Sequence, residues 1–541
     1  MSSVAELAID SLRRVGVDTL FCLPGVQNDD FFDALVDATD IGPIVCRHEQ
    51  GAAYMAMGAA QITGEPASFC VVPGPGMLNT TAALTSAYWG GARVYGLIGA
   101  VPTFARGRGF GVLHDVDDPA AVLDQVTKHT GLVDEPADAA GVLQTAITEL
   151  VSGRPRPVTV EVPVNRWAKA APGEITEPVP HHVEIDGDEL ERAAAVIAEA
   201  ERPLIVVGGG AMGAGDSVVE LAELIGAPVT ARRMGLGAVD TRHPLRVPFT
   251  IGHKLWGKAD VAIGIGSRLE YPLDMWGTDD DIRVVQIDID PEEIDRRGIG
   301  AVGVHGDADE VVRALIARLR DNGVQAGDPA EELARARAEF SDRTAHLEPQ
   351  RSYVAAIRDS LPDDGVIIED MTQIGYACRL FYESRHPRTY LASGPAGTLG
   401  AAVAVGIGAQ AARPTTPVLT IVGDGGFLFT AAELATAVQY GIPTTVLLFN
   451  DGAYGNVKRM QQNKFGDDRT IASTLTNPDH QAMAASMGVR SERIDSPAGI
   501  EGALGRALAH DGPALVEVMV NEMPDPWPLL QPPRIRGEIP T

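Results

Sequence analysis

The sequence has few cysteines, and their arrangement points to neither a disulfide framework nor a metal site. Cys22, Cys46, Cys70 and Cys378 are scattered over 541 residues, and no C-x-x-C pair occurs. Isolated cysteines of this kind are typical of small core residues in a reducing compartment. We therefore expect four unpaired thiols inside the protein.

Long apolar runs are also missing. The most apolar segments, such as 418–422 and 445–449, are far shorter than the roughly 20 residues that cross a membrane. The first residues, 2–6, show no basic region followed by an apolar stretch, so no secretory signal is expected. These absences predict a cytoplasmic protein with no membrane partner.

Positive charge is scarce. Lys and Arg number 44 against 73 Asp and Glu, which leaves a formal net charge of −29. Such a field repels nucleic acid and anionic membranes, so neither is an expected partner. No run of like charges is long enough to form an acidic tail, and an ordinary solvated surface is the simplest interpretation. With 45% hydrophobic and 22% charged residues, the composition is that of a globular protein.

Short apolar runs alternate with helical patterns along the whole chain. This alternation is typical of parallel sheets with helices on both faces, and it predicts an α/β fold with three doubly wound domains at 1–170, 185–335 and 350–525. A Pro-rich tail, 526–541, could serve as a lid or a strap. The predicted strands are 19–23, 43–45, 67–71, 94–98 and 159–162 in the first domain, 203–207, 261–265 and 284–287 in the second, and 365–368, 418–422, 444–449 and 514–518 in the third.

A glycine-rich turn follows the first strand of the second domain. Residues 208–213 read G-G-G-A-M-G and fit the G-x-G-x-x-G pattern of dinucleotide sites. The acidic residue expected about 20 positions later is not clearly placed at a strand end. We therefore prefer a tight strand-to-helix turn, with a nucleotide site as the alternative.

The third domain carries a sharper constellation. The strand 418–422 ends in Gly423-Asp424-Gly425-Gly426, and the strand 445–449 ends in Asn450-Asp451-Gly452. Both turns belong at the carboxyl edge of one sheet, where open α/β folds bind ligands. Glycines let a backbone approach phosphate closely, and Mg²⁺ prefers hard oxygen ligands that it shares with phosphates. The pattern predicts a metal and phosphate site that contains Asp424 and Asp451.

This constellation resembles the motif of thiamine-diphosphate (ThDP) enzymes, in which G-D-G is followed about two dozen residues later by an Asn-containing turn. The chain is similar to the acetolactate synthase, pyruvate oxidase and decarboxylase branch from about residue 3 to residue 520. The resemblance implies that Asp424 and Asp451 bind Mg²⁺ through their side chains and Ala453 through its carbonyl. Many relatives have Asn where this chain has Asp451, so an additional negative charge would lie beside the diphosphate.

The resemblance also assigns other residues to the cofactor. Segment 371–373 would grip the diphosphate and frame the aminopyrimidine, with Ile374 where the family often has His, and Leu399 would hold the cofactor in its bent form. Near the pyrimidine, the loops at 24–25 and 73–76 resemble those of the family. The cofactor-binding residues implied in this way are Pro24, Gly25, Glu49, Asn79, Met371, Thr372, Gln373, Gly397, Leu399, Gly423, Asp424, Gly425, Gly426, Asp451, Ala453, Tyr454 and Gly455.

Glu49 lies between an apolar strand and a helix of small residues. Taken alone, it fits an ordinary first-turn glutamate that the helix dipole favours. The resemblance identifies it as the acid that shares a proton with ring nitrogen N1′ and makes the cofactor reactive. In the family, the domains that hold Glu49 and Asp424 meet across a subunit interface. A homodimer is therefore the smallest expected active unit, and a homotetramer is expected.

The resemblance implies a lyase or transferase that forms or cleaves a C–C bond beside a carbonyl. Its expected substrate is a small-molecule 2-oxo acid, and the cofactor serves as the electron sink. An acetolactate synthase-like carboligase is the main hypothesis. A non-synthase 2-oxo acid decarboxylase and a 2-hydroxyacyl-CoA lyase are alternatives. A non-catalytic regulatory relative is a further possibility, which the intact Glu49, Asp424 and Asp451 argue against.

The substrate pocket departs from both well-known branches of the family. Val457 stands where simple pyruvate decarboxylases carry an acid, and His114 and Asp115 replace the Phe-Gln pair of acetolactate synthases. A histidine can move protons near neutral pH, which makes His114 a candidate catalytic residue, with a surface His–Asp pair as the alternative. Segment 234–238 is similar to a loop of FAD-binding synthases, but 248–253 departs from it, so we expect no tightly bound FAD.

Overall fold

The computed structural model describes residues 1–392 and 394–537. Three six-stranded sheets follow one another along the chain, and the neighbouring strands in each are parallel. This arrangement confirms the predicted α/β fold. The last four residues of the predicted tail, 538–541, lie outside the described part.

The first sheet is built from the amino-terminal third of the chain. Its strands are β1 Thr19–Cys22, β2 Gly42–Val45, β3 Ala67–Val71, β4 Val94–Ala100, β5 His129–Leu132 and β6 Val158–Pro163. The helices around it are α1 Val4–Arg14, α2 Asp29–Val36, α3 Glu49–Thr63, α4 Pro75–Gly90, α5 Pro119–Leu123 and α6 Ala139–Val151.

The second sheet occupies the middle of the chain. Its strands are β7 Pro203–Val207, β8 Val229–Ala231, β9 Arg246–Val247, β10 Val261–Ile265, β11 Arg283–Asp288 and β12 Val302–His305. The helices of this region are α7 Gly187–Ala198, α8 Gly215–Ile225, α9 Phe249–Trp256, α10 Ala308–Asp321 and α11 Ala330–Thr344.

The third sheet completes the fold. Its strands are β13 Val366–Glu369, β14 Tyr390–Ala392, β15 Val418–Gly423, β16 Thr445–Asn450, β17 Arg490–Ile494 and β18 Ala514–Met519. Its helices are α12 Gln350–Asp359, α13 Gln373–Phe381, α14 Ala402–Ala412, α15 Asp424–Thr430, α16 Leu434–Tyr440, α17 Gly455–Phe465, α18 His480–Ser486, α19 Ile500–Leu508 and α20 Trp527–Leu530.

The first and third sheets share one topology. Their strand orders are β2-β1-β3-β4-β6-β5 and β14-β13-β15-β16-β18-β17, which are the same order when each sheet is numbered from its own first strand. The middle sheet differs, since its order β12-β11-β10-β7-β8-β9 is that of a Rossmann fold. Two equivalent domains therefore flank a different one, and α3 in the first corresponds to α14 in the third.

Helices α3 and α14 pack against each other and join the first domain to the third. Both consist largely of Ala and Gly, and they are buried along most of their length. A β-carbon on Gly58 would lie 2.1 Å from the carbonyl oxygen of Val405, and one on Gly408 would lie 2.0 Å from that of Met55. The two backbones therefore touch, and glycine is required at both crossing points.

Several predicted features have a definite outcome in the structure. All four cysteines are buried and unpaired, as expected. The edge strands β5, β9, β12, β14 and β17, and the short inner strand β8, were not predicted. Helix α15 begins directly at Asp424, where the sequence predicted a turn. Within the described residues, no helix has the length and apolar character needed to cross a membrane.

We expect Gly408→Ala to destabilise the protein by about 1–3 kcal/mol, because the added methyl group would push α14 away from the α3 backbone. Gly505→Ala in α19 is the matched control. A β-carbon there meets no atom within 4 Å, so alanine should stabilise the helix by about 0.5–1 kcal/mol. Thermal unfolding midpoints of the two variants should move in opposite directions. Equal midpoints would contradict the tight contact.

Candidate active site

Two carboxylates meet at the carboxyl edge of the third sheet. β15 and β16 are parallel neighbours, with Gly423 opposite Phe449, so the turns that follow them are adjacent. Asp424 is 3% exposed at the start of α15, and Asp451 lies directly after β16. Burial, reinforced by the Asp424 carboxylate, raises the pKa of Asp451 to about 6. Two acids held this closely favour a cation between them.

The residues around these acids fit a divalent ion shared with a diphosphate. A β-carbon on Gly425 would lie 3.6 Å from the carbonyl oxygen of Ala453, so that oxygen also faces the G-D-G turn. No cluster of three or more His, Cys, Asp or Glu side chains suited to a metal occurs in the parts of the chain that the structure describes. A metal held by Asp424, Asp451 and Ala453 would need further oxygen ligands, which a diphosphate can supply.

Glycines keep the floor of this site free of side chains. A β-carbon on Gly425 would lie 2.6 Å from Tyr454 Cδ1, and one on Gly423 would lie 3.2 Å from Thr372 Oγ1. The turns after β13, β15 and β16 therefore converge within van der Waals contact. The helix α15 begins at Asp424, so its free main-chain amides lie beside the same space.

Asn477 holds the Asp424 carboxylate, a contact that the sequence did not reveal. Its Nδ2 lies 2.6 Å from Asp424 Oδ2 and 3.0 Å from Asn450 Oδ1. Asn450 in turn donates to Glu517 across 2.8 Å, and His480 contacts the same Glu517 oxygen at 2.9 Å. A network of polar side chains thus fixes Asp424 from behind. Asn477 is 53 residues from Asp424, and no local pattern marks it.

Segment 371–373 lies against the same site. A β-carbon on Gly397 would lie 3.5 Å from Met371 Cε, which places the turn before α14 beside this segment. Gln373 starts α13 and accepts a hydrogen bond from Arg459 Nη1 at 3.1 Å. Leu399 is half-buried, and its Cδ1 would be 3.2 Å from a β-carbon on Gly426. The residues assigned to the diphosphate end therefore form one cluster.

Glu49 belongs to a second cluster, at the carboxyl edge of the first sheet. It begins α3, its side chain is 14% exposed, and its Oε2 accepts a hydrogen bond from Asn79 Nδ2 at 3.0 Å. A β-carbon on Gly76 would lie 3.7 Å from Glu49 Oε1. Gly25 packs against Val72, at the same edge. The turns after β1, β2 and β3 thus surround one accessible carboxylate.

The turn that precedes Glu49 is held by the third domain of the same chain. The buried carboxylate of Glu433 accepts hydrogen bonds from the main-chain amides of Arg47, at 3.1 Å, and His48, at 3.0 Å. A β-carbon on Gly51 would lie 2.1 Å from Glu433 Oε1, so glycine is needed there. Glu433 therefore fixes the backbone on both sides of Glu49. No local sequence pattern marks Glu433 as part of this site.

His114 lies beside the first-domain cluster in a strained backbone conformation. Its φ is 67°, which is uncommon for a residue other than glycine. A β-carbon on Gly74 would lie 2.6 Å from the His114 carbonyl oxygen, so the loop is pressed against the turn after β3. The Nδ1 atom of His114 is buried and has no hydrogen-bond partner among the residues that the structure describes. Asp115 Oδ2 accepts from the Gly111 amide at 3.0 Å and closes its own turn.

Within one chain, the first-domain cluster is joined to the third domain through residues next to Glu49. Glu433 binds the turn before Glu49, and Ser86 Oγ in α4 lies 2.7 Å from Thr398 Oγ1, next to Leu399. For the residues that the structure describes, no hydrogen bond joins Glu49 itself to the third domain. Within one chain, Glu49 therefore has no direct hydrogen bond to the Asp424 cluster.

A cavity of about 560 Å³, here called the middle-domain cavity, lies at the carboxyl ends of β7 and β10 and is also lined by residues of the first and third domains. The predicted glycine-rich turn borders it. A β-carbon on Gly208 would lie 2.1 Å from the carbonyl oxygen of Gly266, and one on Gly210 would lie 2.7 Å from the Cα of Gly266. Close packing alone therefore accounts for both glycines. Arg232, rather than an acid, follows β8, and it stacks 3.9 Å above the Tyr271 ring.

The carboxy-terminal segment crosses from the third domain to the second. Trp527 Nε1 donates to Asn456 Oδ1 at 2.6 Å, and its ring lies 4.9 Å from that of Tyr376. Farther along, the Pro533 carbonyl contacts His253 Nε2 at 2.9 Å, and Arg536 pairs with Asp279 at 2.6 Å. The described part of the tail thus straps two domains together and covers the start of α17.

Comparisons with known families match all three domains. The model of the thiamine pyrophosphate enzyme N-terminal TPP-binding domain matches residues 2–122. The corresponding central-domain model matches 190–315, and the C-terminal TPP-binding domain model matches 370–518.

Curated relatives align with nearly the whole chain. A probable 2-ketoarginine decarboxylase (AruI) of Pseudomonas aeruginosa is 31% identical over 95% of this chain and 94% of its own. A probable acetolactate synthase large subunit of Methanocaldococcus jannaschii is 31% identical over 96% of this chain and 92% of its own. The acetolactate synthase isozyme 2 large subunit of Escherichia coli is 30% identical over 99% and 98%. The chain therefore belongs to the thiamine pyrophosphate enzymes, in their acetolactate synthase-like group.

Proposed function

We propose that the protein uses ThDP and Mg²⁺ to form or cleave a C–C bond beside the carbonyl of a 2-oxo acid. The observation that carries this proposal is a pair of acids on neighbouring strand ends, the buried Asp424 and the half-buried Asp451, beside a glycine floor and Leu399. When bound, the cofactor supplies a nucleophilic carbon and an electron sink. The chain supplies binding, orientation and a proton-handling acid.

Asp424, Asp451 and the Ala453 carbonyl are the residues that would hold Mg²⁺ and, through it, the diphosphate. Their combined charge suits a divalent cation, and Asn477 keeps Asp424 oriented. The amides at the start of α15 would bind phosphate oxygens. Asp451 in place of the common Asn gives this site one more negative charge, which strengthens its demand for the metal.

Glu49 is the acid that would meet the pyrimidine ring. Its carboxylate is accessible, and a neutral donor, Asn79, is its hydrogen-bond partner, so it can exchange a proton with a ring nitrogen. Glu433 fixes the turn before it through two main-chain amides. Leu399 would wedge under the cofactor and bring the ring amine close to the reactive carbon.

We propose that a complete site forms between two chains. Among the described residues of one chain, Glu49 has no direct hydrogen bond to the Asp424 cluster, and large apolar side chains are exposed beside both clusters. Those exposed residues are Val26, Leu78, Phe104, Phe110 and Leu113 near the first cluster, and Leu428 and Phe429 near the second. Exposed apolar groups in such number are typical of a protein interface. A homodimer, or a tetramer of two dimers, would bury them.

The reaction outcome that we propose is carboligation, as in acetolactate synthases. Two of the relatives with whole-chain coverage carry that printed activity. Decarboxylation of a 2-oxo acid without ligation is the second candidate. It is favoured by the similarity to the 2-ketoarginine decarboxylase. It is also favoured by His114, whose unpaired Nδ1 lies beside the Glu49 cluster and could deliver a proton at the step where a carboligase would add a second carbonyl compound.

The middle-domain cavity does not alter this proposal. Close packing explains its glycines, and Arg232 stands where a ribose-binding acid would be expected. We therefore propose catalysis without a tightly bound FAD. Visible absorbance of the purified protein near 450 nm would contradict this.

Glu49→Gln should slow hydrogen–deuterium exchange at the reactive carbon of bound ThDP by at least about 100-fold, because the amide cannot share a proton with the ring. Affinity for ThDP should change little, since the diphosphate and the metal are bound by the other domain. Exchange is followed by NMR after acid quench, and binding by calorimetry. Glu65→Gln, an exposed residue just beyond the far end of α3, is the control. An unchanged exchange rate in Glu49→Gln would refute the role of Glu49.

Asp424→Ala should abolish Mg²⁺-dependent ThDP binding, and a chain with this substitution should be inactive alone. The Glu49→Gln chain should also be inactive alone, because its bound cofactor is not activated. Mixed assemblies, purified through two different affinity tags, should recover about a quarter to a half of wild-type activity, because each mixed dimer contains one intact site. The control pairs Glu49→Gln with a chain that carries both substitutions and should show no recovery. Mixed assemblies that form but stay inactive would argue against sites shared between chains.

A panel of 2-oxo acids, assayed with ThDP and Mg²⁺ for CO₂ and organic product together, should yield CO₂ with a 2-hydroxyketone. His114→Ala should change the product ratio or the substrate range, because the site then loses a proton donor. His182→Ala, in an exposed segment between domains, is the control.

Each outcome of this panel selects one function. Aldehyde as the sole organic product identifies a decarboxylase, and cleavage without CO₂ identifies a lyase. The same kinetics for His114→Ala and wild type across the panel would remove His114 from the reaction.

A further inference from the structure

The third domain contains a buried acid that neither the motifs nor the family assignment accounts for. Asp370 follows β13 and is 1% exposed. Its carboxylate accepts hydrogen bonds from the Met371 amide at 2.7 Å and from the Gly400 amide at 3.0 Å. The Ala402 amide also points toward it, and burial raises its pKa to about 6. Its hydrogen-bond partners are therefore main-chain amides.

These amides belong to the segment that carries Leu399. Helix α14 begins at Ala402, and its N-cap residue, Ala401, makes no side-chain hydrogen bond. A helix start that lacks a cap leaves donors unsatisfied, and a carboxylate there is favourable. Asp370, about 30 residues earlier in the chain, takes the place of the missing cap.

Gly400 is clamped from both sides. Its amide donates to Asp370, and its carbonyl oxygen accepts from Thr430 Oγ1 at 2.7 Å. Its φ is 82°, and a β-carbon would lie 2.4 Å from Phe429 Cβ, so only glycine fits. Leu399, the residue directly before this clamp, therefore has little freedom to move.

Asp370 also touches the other two segments assigned to the diphosphate end. It binds the amide of Met371, the first residue of segment 371–373. A β-carbon on Gly426 would lie 2.9 Å from Asp370 Oδ2 and 3.2 Å from Leu399 Cδ1. Asp370 thus lies where the three turns meet, and among the described residues its hydrogen bonds to a distant segment go to the turn before α14, which carries Leu399.

We propose that Asp370 is a positioning residue. It sets the position of the Leu399 side chain in the cofactor site and thereby the bent shape in which this enzyme holds ThDP. The inference rests on the proposed function, because it concerns the same site. It concerns the shape of the bound cofactor rather than its anchoring, which Asp424 and the metal provide. Loss of Asp370 should therefore affect the whole cofactor more than its diphosphate alone.

Asp370→Asn should weaken ThDP binding at saturating Mg²⁺ by at least tenfold, while the affinity for inorganic pyrophosphate with Mg²⁺ stays within about twofold of wild type. Calorimetry measures both. Leu399→Ala should have a similar effect, and the double variant should bind ThDP no more weakly than Leu399→Ala alone, because Asp370 acts through Leu399.

Gln410→Ala is the control for general destabilisation. Gln410 is buried at the opposite end of α14, where it binds the carbonyl oxygens of Arg413 and Thr416. Its loss should lower the thermal midpoint of the apoenzyme without changing the ratio of ThDP to pyrophosphate affinity. If Asp370→Asn does not fold, Thr430→Val is the second test, because it removes the hydrogen bond to the Gly400 carbonyl oxygen. It should change the ratio of ThDP to pyrophosphate affinity in the same direction as Asp370→Asn.

The outcomes separate this inference from the proposed function. Equal losses of ThDP and pyrophosphate affinity, or additive losses in the double variant, would overturn the role of Asp370. Unchanged ThDP affinity in Asp370→Asn would do the same. A wild-type chain that binds pyrophosphate but not ThDP would instead overturn the proposed function.

Discussion

The contact between α3 and α14 is the constraint on which the rest of the site depends. Helix α3 follows β2 and helix α14 follows β14, and each of these strands is the second, in chain order, of its sheet. Because both sheets have the same strand order, the contact joins equivalent elements of two equivalent domains. Backbone meets backbone at Gly58 and Gly408, which leaves no room for adjustment by side chains. Glu49 begins one helix, and Leu399 lies just before the other. Within one chain, this packing interaction therefore sets where Glu49 and Leu399 lie relative to each other.

Equivalent positions in the two domains carry different chemistry. After its third strand, the first domain has the turn 73–76, which presses on His114 and borders Asn79 and Glu49. The third domain has the turn 423–426 at the same place, with Asp424, the proposed metal ligand, and the amides of α15. In the function that we propose, one topology thus supplies both a proton-handling edge and an anion-binding edge. A cofactor with a basic ring at one end and a diphosphate at the other needs both.

The sequence predicts the parts of this site that depend on local pattern. Gly423-Asp424-Gly425 after an apolar strand, and Glu49 before a small-residue helix, can be identified because strand, turn and helix are adjacent in the chain. Asp370, Glu433 and Asn477 could not, because their partners are tens to hundreds of residues away. The short edge strands β9 and β14 were missed because two or three residues show no periodicity. Helix α15 was not predicted, because its first turn consists of an acid and two glycines, which are typical of loops.

The way in which each acid is held explains how a strongly negative protein keeps its site ready for a cation. Asp424 is bound by the amide of Asn477, Glu49 by that of Asn79, and Asp370 and Glu433 by main-chain amides. Neutral donors satisfy the oxygens without cancelling the charge. Glu369, which lies behind the site, is instead neutralised by an arginine, Arg379. Among the residues that the structure describes, Asp424 and Asp451 have no such partner, so the negative charge that they leave at the front is the charge that the proposed divalent ion and its diphosphate would balance.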